Sequence, residues 1–249
     1  MCNAHIIIYE MSLDPKEKQQ TKSKQRVRDH GEVFTADREV KAMCDLVKDE
    51  CERIDSRFLE PACGNGNFLA EILTRKLSSV KKLYKHSPFD YERYAVLAVT
   101  SIYGVELLAD NAEECRERLF ELWDKEYTAV CKKSVNERTR AAVRYILKKN
   151  ILCGNALTLM CVDENQKDTD APIVFPEWSL LGTRLKRRDF RLDVLLKVGD
   201  KPKRGQPSLF DVPEEIRKYL SLNPVTEEFM AEPICEYPPT HYRKVQENG

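Results

Sequence analysis

Residues Phe58–Leu69 read FLEPACGNGNFL: a short apolar strand closing on the acid Glu60, a turn that holds Gly64 and Gly66, and the first residues of a helical pattern. Strand, glycine turn and helix in that order form the opening unit of nucleotide-type α/β folds. An acid at the carboxyl end of a strand can hold a ligand ammonium, and a glycine removes the Cβ that would keep a ligand off the backbone. A helix starting near Asn67 aims its unbonded N–H groups at the same place, which suits a carboxylate or another anion. A glycine pair after a strand is also compatible with a turn that binds nothing, so the flanks have to decide.

Upstream, Gly31–Ala36 (GEVFTA) precedes a stretch with apolar residues at Val40, Met43, Cys44, Val47 and Cys51, the spacing of one helix face. Thr35 fits the N-cap of that helix, a role that needs no ligand. Downstream, Ser101–Glu106 (SIYGVE) forms a second short strand ending in an acid, followed by a helix with its apolar stripe at Leu108, Ala112, Cys115, Leu119, Leu122 and Trp123. A carboxylate at that strand end can accept both hydroxyls of a ribose, and Glu106 is the candidate. Its distance from the glycine turn exceeds the ~20 residues of a simple βαβ unit, and the excess is the helical-looking segment Pro88–Val99. A third strand is expected at Ile151–Gly154, followed by Asn155, Ala156 and Leu157.

The run Glu60-Pro61-Ala62-Cys63-Gly64-Asn65-Gly66-Asn67-Phe68-Leu69 resembles motif I of the S-adenosylmethionine-dependent DNA adenine-N6 methyltransferases, as in the modification subunits of restriction-modification systems. It is not the nicotinamide-type fingerprint, because Leu69 stands where a third glycine is expected. The resemblance puts Glu60, Gly64 and Gly66 against the methionine half of S-adenosyl-L-methionine, with Pro61, Ala62, Cys63, Asn65 and Phe68 in the same cofactor-binding set. Gly31–Ala36 looks like the family's motif X, a loop closing over the cofactor carboxylate. That implies roles for Phe34 and Thr35, with Ala36 replacing the usual proline. Glu106 takes the place of the motif II acid. Asn155 and Ala156 fall at motif III, whose polar residue meets the adenine edge; an acid is common there, and Asn can donate to and accept from a base edge.

The family's catalytic tetrapeptide, Asn or Asp followed by Pro, Pro and an aromatic, is not found. Leu222-Asn223-Pro224-Val225 has one proline and no ring, and Tyr237-Pro238-Pro239-Thr240 has neither an amide or carboxylate before its prolines nor a ring after them. Both read as turn or tail prolines, and no catalytic residue can be named. After Leu157 the alternation of strand and amphipathic helix stops. Asp163–Asp170 is polar and acidic, a modest strand follows at Pro172–Phe175, then a basic run and a Pro- and Glu-rich end. The expected organisation is therefore a flexible N-terminal segment over 1–25, an S-adenosylmethionine-binding domain over 26–160, and an irregular, charged region over 161–249. The expected fold is α/β, a Rossmann-like methyltransferase sheet with helices on both faces, represented only by its cofactor-binding half.

Motifs X, I, II and III without the catalytic motif imply direct methyl transfer to adenine N6 of a base lifted from the duplex, with a partner polypeptide carrying the target-base site. An exposed sheet edge is the physical reason to expect that partner. Two alternatives stay open: a non-catalytic accessory protein that keeps the pocket, and a methyltransferase acting on RNA, protein or a small molecule. The 249 residues are 42% hydrophobic and 33% charged with zero formal net charge, so overall charge does not argue for DNA. Local clusters do: Arg184–Arg204 carries nine Lys or Arg against three Asp, and Lys16–Arg28 six against one Glu. Such clusters can neutralise phosphates or simply be solvated. Nine cysteines without a C-x-x-C pair and four scattered histidines lack zinc-site spacing and fit a reducing cytoplasm. Ile6-Ile7-Ile8 is too short to span a bilayer, and residues 1–10 read as dispensable. Gln206-Pro207-Ser208-Leu209-Phe210 resembles the pentapeptide that docks bacterial proteins on the replication sliding clamp, which would engage Gln206, Ser208, Leu209 and Phe210.

Overall fold

The structure, a computed structural model, describes residues 21–30, 32–199, 213–223, 225 and 228–248. The first strand, β1 (Phe58–Glu60), and the helix α4 (Asn67–Tyr84) flank the glycine turn as the sequence predicts. Ahead of them lie α1 (Lys24–His30), α2 (Asp37–Leu46) and α3 (Lys48–Glu52). The apolar stripe expected from Val40 to Cys51 does not lie on one continuous helix. Val47 leaves helical geometry at φ −125°, so Val40, Cys44 and Cys51 are buried while Met43 and Val47 face out. Thr35 does not cap α2 either: Ala36 occupies that position without a side-chain hydrogen bond.

From β1 the chain makes a long crossover through α4 and α5 (Pro88–Thr100) to β2 (Ile102–Glu106), then through α6 (Ala109–Cys131) and α7 (Glu137–Asn150) to β3 (Ile151–Asn155). Ser87 caps α5, with Pro88 in the first turn where its missing N–H is harmless, and Asn136 caps α7. The strands β1, β2 and β3 pair in parallel, in register Glu60↔Gly104 and Glu106↔Cys153. Side chains two residues apart share a face of a sheet, so Glu60 and Glu106 emerge on the same one. That face carries the helices: a Cβ on Gly104 would lie 2.8 Å from Cys63 Sγ and 3.1 Å from Leu69 Cδ1. Only glycine lets α4 come so close to β2.

Buried Lys76 of α4 fixes the chain entering β1, its ammonium donating to the carbonyls of Arg53, Ile54 and Ser56 at 2.8, 3.1 and 2.7 Å. Burial pulls its pKa down to about 8, and the three carbonyls are what make an enclosed amine tolerable.

Past β3 the chain departs from expectation. Two antiparallel strands, β4 (Met160–Val162) and β5 (Asp168–Pro172), extend the sheet to the order β1-β2-β3-β4-β5. The region expected to be irregular then forms a second sheet from β6 (Val174–Leu181), β7 (Arg184–Arg191) and β10 (Cys235–His241), in the order β10-β7-β6. Between β7 and β10 lie α8 (Leu192–Gly199), α9 (Glu214–Arg217) and the hairpin of β8 (Leu220–Leu222) and β9 (Phe229–Ala231). The second sheet stands where a second helix layer was expected. Tyr103 donates to Pro176 O at 2.9 Å and meets Phe175 edge-on, and a Cβ on Gly154 would lie 2.8 Å from Ile173 Cδ1. Ile173, Phe175, Trp178, Leu185, Leu192, Tyr242 and Val245 join the same hydrophobic core as α4, α5 and α6, so the core does not stop at residue 160.

Two buried charge networks explain why this half reads as linker in the sequence. Arg187 lies bidentate on Asp189 at 2.6–2.7 Å, with the Tyr237 ring 4.2 Å from its guanidinium carbon. Glu92 of α5 accepts from Tyr127, from Tyr242 at 2.5 Å and from Arg243 at 2.6 Å. This ties the C-terminal 3-10 helix Tyr242–Asn248 to the helical layer.

Candidate functional site

A cavity of about 600 Å³ opens at the carboxyl ends of β1, β2 and β3, the place where parallel α/β sheets bind ligands. Its wall takes Glu60, the turn 61–65, Asn67 and Phe68 from the first unit; Glu106, Leu107, Leu108 and Asn111 from the second; and Gly154–Leu157 from the third. Glu32, Val33, Phe34 and Thr35 close the remaining side. Every sequence-predicted cofactor residue lines it except Gly66.

The two turn glycines do different work. Both adopt positive φ, +53° at Gly64 and +86° at Gly66, a conformation that disfavours a side chain. A Cβ on Gly64 would meet the Phe34 ring at 3.2 Å, on the cavity side. A Cβ on Gly66 would sit 2.7 Å from Cys115 Sγ, beneath the turn. Gly66 therefore admits α6 to the turn rather than a ligand to the backbone, which corrects the role expected for it. Cys63 is buried beside Cys115; the hydrogen bond to that thiol and burial push its own thiol pKa well up, so it packs as a small hydrophobe.

The three carboxylates of the cavity are held differently. Glu106, nearly buried, accepts from Gly64 N at 2.8 Å on Oε2 and from Leu108 N at 3.0 Å on Oε1. It thereby ties the glycine turn to the second strand end; Oε2 keeps acceptor capacity for a hydroxyl, while the second acceptor site of Oε1 faces Asn111 Nδ2 at 3.5 Å. Glu32 pairs with Arg26 and accepts from Asn111 Nδ2 at 2.7 Å. Burial works against its charged form, but Arg26 and Asn111 outweigh it and lower its pKa. Among the described residues Glu60 has only Ala62 N, at 3.4 Å, and burial raises its pKa. Among the described residues no Lys, Arg or His lines the cavity, and only Glu32 of the three carboxylates is paired with a cation. Such a negative wall favours a positively charged, hydroxyl-bearing ligand and opposes a phosphorylated one.

Thr35 O accepts from Asn67 Nδ2 at 2.9 Å, and Asn67 Oδ1 accepts from Arg118, so the segment before α2 is fastened to the start of α4. Asn155 is less free than its sequence role requires. Its Oδ1 accepts from Leu157 N at 3.0 Å and its Nδ2 donates to Asp168 at 3.1 Å, which leaves one amide hydrogen for a base edge. Ala156 and Leu157 supply that side of the wall. Sequence reasoning missed Glu32 and Asn111. The available signal was an acid two residues before Phe34 and an Asn in the first turn after Glu106.

Within the basic clusters, Lys186, Arg187, Arg188 and Arg191 pair with Glu236, Asp189, Glu177 and Asp193. Lys22 and Arg26 pair with Asp110, Lys22 also with Glu114. Tyr237-Pro238-Pro239-Thr240 lies within β10 and contributes nothing to the cavity. Gln206, Ser208, Leu209 and Phe210, like Pro224, fall outside the described residues. Among the described residues no helix is long and apolar enough to cross a membrane, and no group of three or more His, Cys, Asp or Glu is placed to hold a metal. Comparison with protein-family models, curated proteins and solved structures gives no match to this chain.

Proposed function

We propose that the chain binds S-adenosyl-L-methionine in the cavity at the ends of β1–β3 and serves as the cofactor-binding part of a DNA adenine-N6 methyltransferase, its target-base part lying on another polypeptide. The observation that carries this reading is Glu60 and Glu106 on one sheet face, at adjacent strand ends, in a cavity that no cationic side chain lines among the described residues. Glu60 suits the ligand's ammonium and Glu106 its ribose hydroxyls, while the cationic sulfonium is favoured by the same negative wall. The bound cofactor supplies the transferable methyl group; this chain supplies its orientation, which lowers the entropy cost of reaction.

The acceptor class comes from the motif order in the sequence. The pairing of Lys186, Arg187, Arg188 and Arg191 with neighbouring acids favours a division of labour in which the partner grips the DNA. Calorimetric titration with S-adenosylmethionine tests the cofactor, with micromolar binding expected. Tritiated methyl transfer to DNA tests the division. The chain alone is expected to be inactive, and robust transfer without a partner would refute the split reading. The absence of any amide-Pro-Pro-aromatic element at the cavity among the described residues favours a second reading, a non-catalytic cofactor-binding accessory. It predicts binding but no methyl transfer with any partner chain present.

A further inference from the structure

Three groups from the N-terminal arm converge on the first turn of α6, and one buried side chain joins them to the cavity. Lys22 Nζ donates to Asn111 Oδ1 at 2.7 Å and pairs with Asp110 and Glu114. Arg26 bridges Asp110, at 2.6 and 3.1 Å, and Glu32. Glu32 in turn accepts from Asn111 Nδ2, which also comes within 3.5 Å of Glu106 Oε1. Asn111 is 1% exposed, so its amide spans from the arm to the second strand end without competition from water. Glu32 and Glu106 carry like charges near one another, and the donor between them offsets that repulsion.

Resting on the cofactor reading above, we propose that Asn111 is a positioning residue: it orients Glu106 and couples the seating of the arm, through Glu32 and Arg26, to occupancy of the cavity. Glu32, Phe34 and Thr35 form one wall of that cavity, so a ligand that rests on Glu106 gains from a seated arm. By linkage, the arm is held harder when the ligand is bound.

Asn111→Asp keeps the side chain's shape and replaces the donor with a third acceptor. Titration calorimetry with S-adenosylmethionine is expected to show affinity about tenfold weaker, the loss of one hydrogen bond to a carboxylate. Hydrogen exchange of α1 and of Val33–Thr35, slowed by the ligand in the wild type, is expected to lose that response in the variant. Adding Glu32→Gln to Asn111→Asp restores a hydrogen bond of reversed polarity, and the response of the arm is expected to return. A merely structural role predicts no such rescue. Should Asn111→Asp fail to fold, Glu32→Ala, which leaves α6 intact, is expected to abolish the same response. Wild-type affinity and unchanged arm protection in these variants overturn the role of Asn111 while leaving the cofactor reading in place. No binding by the wild-type chain overturns both.

Discussion

Replacing Gly66 with alanine separates the packing role of the turn from its role as a ligand wall. At φ +86° and ψ 29° an L-residue costs roughly 1–2 kcal/mol relative to glycine. The new methyl would stand 2.7 Å from Cys115 Sγ, and 3.5 and 3.6 Å from that residue's Cβ and Cα. Cys115 is fully buried on a helix whose neighbouring Leu119 and Trp123 are also at 0% exposure, so it has little room to yield. Overpacking of this kind adds about 1–3 kcal/mol. Gly66→Ala is therefore expected to destabilise by about 2–5 kcal/mol in urea unfolding followed by circular dichroism. Cys115→Ala removes the sulfur, so in that background only the backbone cost should survive, a coupling of about 1–3 kcal/mol in the double-mutant cycle. Because Gly66 does not line the cavity, S-adenosylmethionine affinity of the folded variant should change less than about threefold. An equal cost in both backgrounds would falsify the assignment of Gly66 to helix packing. A large loss of affinity with little loss of stability would restore it to the ligand wall.

Glu60→Gln is expected to weaken S-adenosylmethionine by about tenfold while slightly stabilising the ligand-free chain, since an unpaired, desolvated carboxylate is removed. The pH dependence carries the same signature. The pKa of Glu60 is raised from 4.5 by burial, so the folded chain binds more protons than the unfolded chain between 4.5 and that raised value. Ligand-free stability should fall, and cofactor affinity rise, as pH climbs through that window; persistence of both trends in Glu60→Gln would rule out Glu60 as their source. At Glu92, substitution by alanine strands two buried hydroxyls and the Arg243 guanidinium. Urea unfolding should register a loss of about 3–5 kcal/mol, and limited proteolysis should release the C-terminal strand and 3-10 helix first; a loss under about 1 kcal/mol would show that this network does not anchor the C-terminus.

The first unit was legible in the amino-acid order because its determinants are local. An apolar run ending in an acid, two glycines with left-handed backbone and an amphipathic helix are neighbours in the chain, and short-range sterics fix their order. Glu106 was found the same way, as the end of another strand. The second sheet was hidden because β7 alternates Arg184, Lys186 and Arg188 with Leu185, Arg187 and Asp189. A buried Arg–Asp pair satisfied within its own strand looks, in one dimension, like two more solvated charges. The distant half of the pairing, β10, begins more than forty residues later, by the numbers of Arg191 and Cys235.

What the chain's order determined by itself is thus the pair of strand ends with their acids and the glycine turn between them. Tertiary structure decided which glycine lines the cavity, that Thr35 is fastened to α4 instead of capping α2, and that Glu32 and Asn111 belong to the same cavity. Those outcomes depend on contacts between segments far apart in sequence, where burial, charge pairing and a missing Cβ act only once the layers have packed.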